Sequence, residues 1–188
     1  EKWKNGDQVL IEIPMNIRVE SRFNNALSVL RGPLYFSLRI EKEYKNVKIN
    51  YDNYSYKGSA DWEIISKSAW NYGLLIDTKN IMRGLKLTEN PIGKYPFSDR
   101  GDMVWSADSA KYIHVTEEAP LVLKARGIKI PEWTMKNNSA DVPPQSPVKP
   151  EGDPEIITLV PYGCAKLRIT EFPVMDILFM EDIIKSGN

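Results

Sequence analysis

The chain alternates. Val9, Ile11 and Ile13 share one face of the run Gln8–Ile13, and Ile17 and Val19 alternate with Arg18 and Glu20. Leu34, Phe36, Leu38 and Ile40 alternate with Tyr35, Ser37, Arg39 and Glu41, and Val47, Ile49 and Tyr51 with Lys48 and Asn50. A period of two with one apolar face predicts half-buried antiparallel strands. Asn5-Gly6-Asp7, Pro14, Asn24-Asn25 and Gly32-Pro33 separate these runs as turns. Turn signals about every ten residues predict a β-sandwich or barrel.

The middle of the chain is less regular. Trp70, Tyr72, Leu74 and Ile76 alternate within residues 62–76, predicting a strand there, whereas the Gly and Pro residues of 88–102 predict a long loop. Residues 120–130 read as strand again. From 131 to 154 the chain carries six prolines, which cannot donate to a sheet, and an extended surface strap is expected. Residues 156–160, a turn at Pro161-Tyr162-Gly163 and residues 166–170, with Leu167 and Ile169 facing inward, predict a closing hairpin. Val174, Ile177, Leu178, Phe179, Ile183 and Ile184 approximate a helical period and predict a short amphipathic helix over 174–185. The fold expected is all-β: an antiparallel, jelly-roll-like β-sandwich over residues 1–188 with a long proline-rich loop. A finer division sets a core of 1–78 plus 155–175 against 79–154 as an inserted subdomain or strap.

Composition narrows the function. The 188 residues are 42% hydrophobic and 27% charged, with 25 Lys plus Arg against 25 Asp plus Glu. A chain of this length buries roughly 70% of its unfolded surface and needs no staple. Zero net charge argues against a nucleic-acid partner or an anionic membrane surface. One cysteine allows no internal disulfide, and one histidine excludes the common Cys/His zinc sites. No apolar run reaches the roughly 18 residues of a membrane span. The chain begins Glu1-Lys2-Trp3, so it is expected to be processed or cut from something longer.

Catalytic constellations are not visible. His114, in Tyr112-Ile113-His114-Val115, has no nucleophile in a motif with it and reads as structural or surface. Cys164 reads as a small buried hydrophobe. Glu117-Glu118 and Glu181-Asp182 are sequence neighbours, which do not span a glycosidic bond, and read as surface charge. Asp99-Arg100-Gly101-Asp102 holds an Arg-Gly-Asp tripeptide but reads as a turn. Aromatic residues remain: Trp62, Trp70, Tyr72, Trp105 and Trp133. Their flat faces either stack on sugar rings or anchor a core or an interdomain contact.

Several runs carry a resemblance. Trp3 to Pro14, with Met15 and Arg18-Val19-Glu20, resembles a "W-x-x-GD-x-V-x-l-x-l-P-M-x-x-R" segment. Leu30-Arg31-Gly32-Pro33-Leu34-Tyr35 resembles "RGPLVY", and Ser68-Ala69-Trp70-Asn71-Tyr72-Gly73-Leu74 resembles "S-P-W-N-Y-x-L". Ile130-Pro131-Glu132-Trp133 with Pro143-Pro144-Gln145-Ser146-Pro147 is similar to a proline-rich strap, and residues 159–173 are similar to a closing "LVPYG…LRIT-x-FP" signature. The family resembled is the bacterial β-L-arabinofuranosidase-like glycoside hydrolases, family 127 and its uncharacterised relatives. The matches span residues 3–173, with gaps at about 42–60 and 77–117.

The resemblance implies the β-rich C-terminal region of such a protein, preceded by a catalytic (α/α)6 barrel whose cysteine nucleophile and zinc lie in that barrel. No catalytic residue carries over to this chain. The fragment is then expected to be non-catalytic and without a cofactor of its own, its parent a glycoside hydrolase and zinc a matter for the barrel. The implied partner is the chain's own N-terminal barrel. The implied location, from the habit of the family, is periplasmic or secreted. The competing reading is a carbohydrate-binding module that stacks plant-derived glycans on exposed Trp and Tyr.

Overall fold

A computed structural model of the chain describes residues 2–47, 61–77, 79–149 and 151–175. The structure is all-β, with 43% of the described residues in strands and antiparallel sheets, the principal one curled into a half-barrel compatible with a β-sandwich. Among the described residues the only helical turns are short 3-10 pieces at Phe23–Asn25, Ile81–Gly84 and Tyr162–Cys164.

The strands are β1 (Ile17–Ser21), β2 (Leu27–Arg31), β3 (Leu34–Leu38), β4 (Lys42–Val47), β5 (Asp61–Ser66), β6 (Tyr72–Leu75) and β7 (Leu85–Glu89). They continue as β8 (Met103–Ser106), β9 (Lys111–His114), β10 (Leu121–Lys129), β11 (Met135–Lys136), β12 (Ser139–Ala140) and β13 (Glu155–Pro161). The principal sheet runs β1-β2-β3-β13-β10-β6, with β7 also paired to β10. Three separate hairpins stand beside it: β4–β5, β8–β9 and the two-residue β11–β12.

Local chemistry explains the first meander. Asn24 and Asn25 adopt φ of 53° and 54°, a left-handed geometry that asparagine tolerates, and so close β1 onto β2 with Val19 opposite Val29. Gly32, at φ 53°, turns β2 into β3. Strand β10 holds the sheet together. Its second half pairs with β6, its first half with β7, and residues 123–127 of its other edge pair with β13. At the β6–β10 crossing a side chain at Gly127 would stand 3.2 Å from the Gly73 carbonyl, and one at Gly73 would strike Met175. Two glycines there let the strands lie against fully buried neighbours. The core gathers Val29, Phe36, Leu38, Leu74, Leu123 and Leu159, with Phe172 and Met175 laid across them.

Some sequence expectations give way. Residues 8–13 form no strand: Val9, Leu10, Ile11 and Ile13 are 62–85% exposed and pair with nothing. The reason is the lack of a strand beside them. The β1–β2 ladder ends at Ile17 opposite Arg31, with the Gly32 N–H donating to the Asn16 carbonyl at 3.3 Å, and β2 turns into β3 there, so its ladder offers no partner to residues 8–13. The closing hairpin over 166–170 is also absent. Both edges of β13 are taken, by β3 and β10, and no edge is left for a returning strand. Residues 165–172 instead cross the meander. Leu38 N–H donates to the Ile169 carbonyl (2.8 Å), and Leu27 and Phe172 exchange backbone hydrogen bonds (2.8 and 2.9 Å). Ser37 Oγ donates to the Ile169 carbonyl and accepts from its N–H, both at 3.1 Å.

The strand expected within 62–76, on the alternation of Trp70, Tyr72, Leu74 and Ile76, is present as β6, and a further strand, β5, precedes it. Residues 85–89 and 121–129, within the stretch set apart as an insert, lie in the principal sheet. The helix expected over 174–185 begins instead as extended chain, since Val174 bridges Leu74 and Met175 bridges Val148. Its remaining residues, and Ile49 and Tyr51 of the expected strand at 47–51, lie outside the described residues. The proline-rich strap is docked. Asn24 Nδ2 donates to the Pro143 carbonyl (2.8 Å), Ser146 N–H to the Asn24 carbonyl (2.9 Å) and Val174 N–H to Ser146 Oγ (2.9 Å).

Candidate functional site

The five aromatic candidates separate into two groups. Trp133 is 4% exposed and meets Trp70 edge-to-face at 5.2 Å, while its indole N–H donates to the Asp141 carbonyl at 2.7 Å. Tyr72 is buried in β6, with Lys129 Nζ 5.9 Å from its ring centroid. These three are walls of the fold. Trp62 and Trp105 join a row of edge-to-face contacts: Tyr44–Trp62 at 6.3 Å, Trp62–Tyr112 at 5.3 Å and Tyr112–Trp105 at 5.3 Å. The row welds hairpin β4–β5 to hairpin β8–β9. Trp105 and Tyr112 are direct cross-strand partners, the closest placing two side chains can have on one sheet face. Only the end of the row is open to solvent, Trp105 being 52% exposed.

Beneath this row lies a charge network that no spacing rule would find. Arg39, between β3 and β4, meets Asp99 with two donors, Nε at 2.6 Å and Nη2 at 2.7 Å, and also bonds Glu118. Asp99 further accepts the Ala119 N–H at 3.0 Å. Lys42 Nζ lies 2.6 Å from Asp102 Oδ1, and Lys166 Nζ 3.6 Å from Asp102 Oδ2. Asp102 Oδ2 also accepts the Asp99 N–H at 3.0 Å. Burial works against the charge on Arg39, but Asp99 and Glu118 outweigh it and hold its pKa above the ordinary guanidinium value. The network ties the loop at 90–102 to the body of the fold.

These contacts decide several sequence readings. The Arg-Gly-Asp run is a turn, with Gly101 at φ 78° and the Asp102 side chain fully buried in ion pairs, so it presents no carboxylate to a partner. Glu117 is exposed and Glu118 is part of the Arg39 network. Glu181-Asp182 lies outside the described residues. His114 ends β9 on the surface opposite Met103. Among the described residues, no three His, Cys, Asp or Glu side chains converge as a metal site requires. No described helix is long and apolar enough to cross a membrane.

Cys164 is 2% exposed, its Sγ 3.5 Å from the Pro96 carbonyl. Burial first, and then the negative charge of Asp99 and Asp102, push its thiol from 9.0 to about 11. It is therefore a thiol at neutral pH, not a nucleophilic thiolate. Tyr44 is pushed from 10.0 to about 12, by burial first; the Met103 backbone hydrogen bond opposes this and Asp102 adds to it. Both groups hold their protons more tightly folded than unfolded. Their contribution is thus whole below pH 9 and is lost as the pH climbs toward 12. The thermal midpoint is expected to fall across that window, and Cys164→Ala to remove the part below pH 11. A midpoint that stays level from pH 9 to 11 in the parent chain contradicts this environment for the thiol.

Sequence reasoning missed a surface trough on another face. Pro33, Leu34, Tyr35, Pro161, Tyr162 and Thr170 line a cleft of about 370 Å³. Asp141, Val142, Pro143, Arg168 and Glu171, with Trp133 at the back, line a neighbouring cleft of about 260 Å³, and Thr170 borders both. The Arg168 guanidinium lies 4.4 Å from the Tyr162 ring centroid, and that of Arg22 5.1 Å from the Tyr35 centroid. The only sequence signal was the pair of Pro-containing turns, at Gly32-Pro33 and Pro161-Tyr162-Gly163, which the sheet brings side by side through β3 and β13. Compared with known proteins, the chain matches no family model, no curated protein and no solved structure.

Proposed function

We propose that this chain is a non-catalytic β-sandwich module of a larger bacterial glycoside hydrolase of the β-L-arabinofuranosidase-like kind, packed against a preceding (α/α)6 barrel that holds the chemistry and its zinc. The single observation that carries this is the run Val9–Ile13. Val9, Leu10, Ile11 and Ile13 are 62–85% exposed, and no described strand pairs with them. A contiguous exposed apolar run marks a surface that another body covers, and a monomer in water does not hold it uncovered without cost. Trp3, 76% exposed, extends the same surface. The motif resemblances across residues 3–173 add support. Export to the periplasm or medium, where plant polysaccharides are met, belongs to the same reading.

The test compares this chain with the longer, barrel-bearing polypeptide that this reading requires, by limited proteolysis and hydrogen exchange. Residues 8–13 are expected to be cut and exchanged quickly in the 188-residue chain and protected in the longer one. The shorter chain is expected to leave aryl arabinosides intact. Equal protection in both, or hydrolysis by the shorter chain, overturns the reading. A second reading, glycan binding through exposed aromatic faces, is favoured by Trp105 at the open end of its row and by the tyrosines of the trough.

A further inference from the structure

We propose that the trough between the Gly32-Pro33 turn and the Pro161-Tyr162-Gly163 turn is a binding site for a neutral oligosaccharide, with Tyr162 as its stacking face. The inference rests on the glycan-binding reading and moves that function away from the tryptophans. Four of the five aromatic candidates are spent on packing: Trp133 against Trp70, Tyr72 within the sheet, and Trp62 inside the hairpin row. Tyr162 is different. It is 47% exposed, it borders a cleft, and it is held still. Arg168 covers one side of its ring at 4.4 Å and donates from Nε to its backbone carbonyl at 3.4 Å. Tyr35, across the cleft, is fixed in the same manner. Its hydroxyl bonds Arg22 and donates to Glu20 at 3.2 Å, while the Arg22 guanidinium stands at 5.1 Å from the ring. Immobilised rings lose little freedom on binding, which is what a weak, stacking-driven ligand needs.

The two clefts differ in chemistry, and a sugar chain matches the difference. The larger, at about 370 Å³, falls within the range of small-ligand sites and is walled by Pro33, Leu34, Pro161 and the two tyrosines. It suits the C–H face of a sugar ring. The smaller offers Arg168, Glu171 and Asp141 around Thr170, donors and acceptors for the hydroxyls of the next ring. Two carboxylates against one guanidinium disfavour an anionic ligand, and the apolar larger cleft offers no partner for a charge, so the sugar is neutral. Thr170 borders both clefts and its carbonyl is tied to Ser28 Oγ at 2.9 Å, so the step between the two is set by the fold.

The experiment is an amide-NMR titration of the chain with xylohexaose, cellohexaose and an arabinan-derived oligosaccharide, and separately with a proline-rich peptide. Sugar is expected to shift the amides of Tyr35, Gly163 and Thr170 with a dissociation constant on the order of 1 mM. Tyr162→Ala is expected to weaken binding about tenfold or more with an unchanged thermal midpoint, and Trp105→Ala to leave it as it was. Loss of binding in Trp105→Ala with Tyr162→Ala unaffected overturns the trough and leaves the glycan-binding reading standing. No shift with any sugar at about 10 mM overturns both. Shifts with the peptide alone assign the trough to extended prolyl chains and overturn the proposal.

Discussion

Replacing Lys42 with methionine is expected to lower the unfolding free energy by about 3 kcal/mol, the low end of what removing one partner of a buried ion pair costs. The Lys42 and Asp102 side chains are 8% and 0% exposed and their charged atoms stand 2.6 Å apart. Without the ammonium the Asp102 carboxylate keeps Lys166, at 3.6 Å, the Asp99 N–H, at 3.0 Å, and the Tyr44 hydroxyl, at 3.4 Å. Those residual contacts place the loss at the low end. The combined change Lys42→Met and Asp102→Asn is expected to recover much of it, since asparagine carries no charge to strand and still offers an oxygen to Asp99. Lys45→Met is the comparison. Lys45 and Glu63 are 64% and 55% exposed and 3.6 Å apart, and removing such a pair is expected to cost under about 0.5 kcal/mol. Urea denaturation of the four proteins decides the matter. A single Lys42→Met variant as stable as Lys45→Met would mean that the network does not fasten the loop.

Why this network could not be anticipated is instructive. Arg39 lies within the alternating run 34–41 and Lys42 just after it, where a sequence reading assigns charged residues to the solvent side. Asp99 and Asp102 sit in a Gly-containing turn, where aspartate is ordinary. Nothing in the spacing says that the turn at 99–102 folds under hairpin β4–β5. Long-range placement of this kind depends on the order of strands, and that order is non-sequential: β13 enters between β3 and β10. The alternating strands were legible because their period comes from one half-buried face, as in β3 and β10. Strand β2 was not, because Leu27, Ser28, Val29 and Leu30 are all buried and show no alternation, with Ser28 satisfied by the Thr170 carbonyl. The opposite error arose at residues 8–13 and 166–170. Both alternate, but pairing also requires a free edge beside them. Residues 8–13 lie beyond the end of the β1–β2 ladder and meet no strand, and β13 has no edge left to give. Of the site, the aromatic residues were visible as residue types, but which of them face water was decided by partners distant in sequence. The trough was invisible for the same reason, being made of two turns 130 residues apart in a chain of 188.

Trp133→Ala separates a structural tryptophan from a ligand platform, and it is expected to cost about 3–5 kcal/mol, the range for emptying a large buried aromatic site. Trp133 is 4% exposed and belongs to the main core cluster beside Ile130 and Ile169. Its removal deletes the edge-to-face contact with Trp70 at 5.2 Å and leaves the Asp141 carbonyl without its 2.7 Å donor. Trp133→Phe is expected to lose less, because an aromatic ring still fills most of the space while the indole N–H is gone. The hydrogen-bond share is then the smaller part, about 1 kcal/mol. The backbone around it gives a second readout. The Trp133 N–H donates to the Ile130 carbonyl at 3.0 Å and the Asp141 N–H to the Thr134 carbonyl at 3.1 Å, so the small β11–β12 hairpin is anchored at this side chain. Hydrogen exchange in residues 135–141 is expected to quicken in Trp133→Ala while β2 and β13 keep their protection. Trp105→Ala, at the open end of the hairpin row, is expected to change stability by under about 1 kcal/mol, since half of its surface is already in water and its one aromatic partner is met edge-on. A ranking with Trp105 as the costlier loss would invert the assignment of interior and surface made from these contacts, and would return Trp133 to the sugar-facing role that its burial denies it.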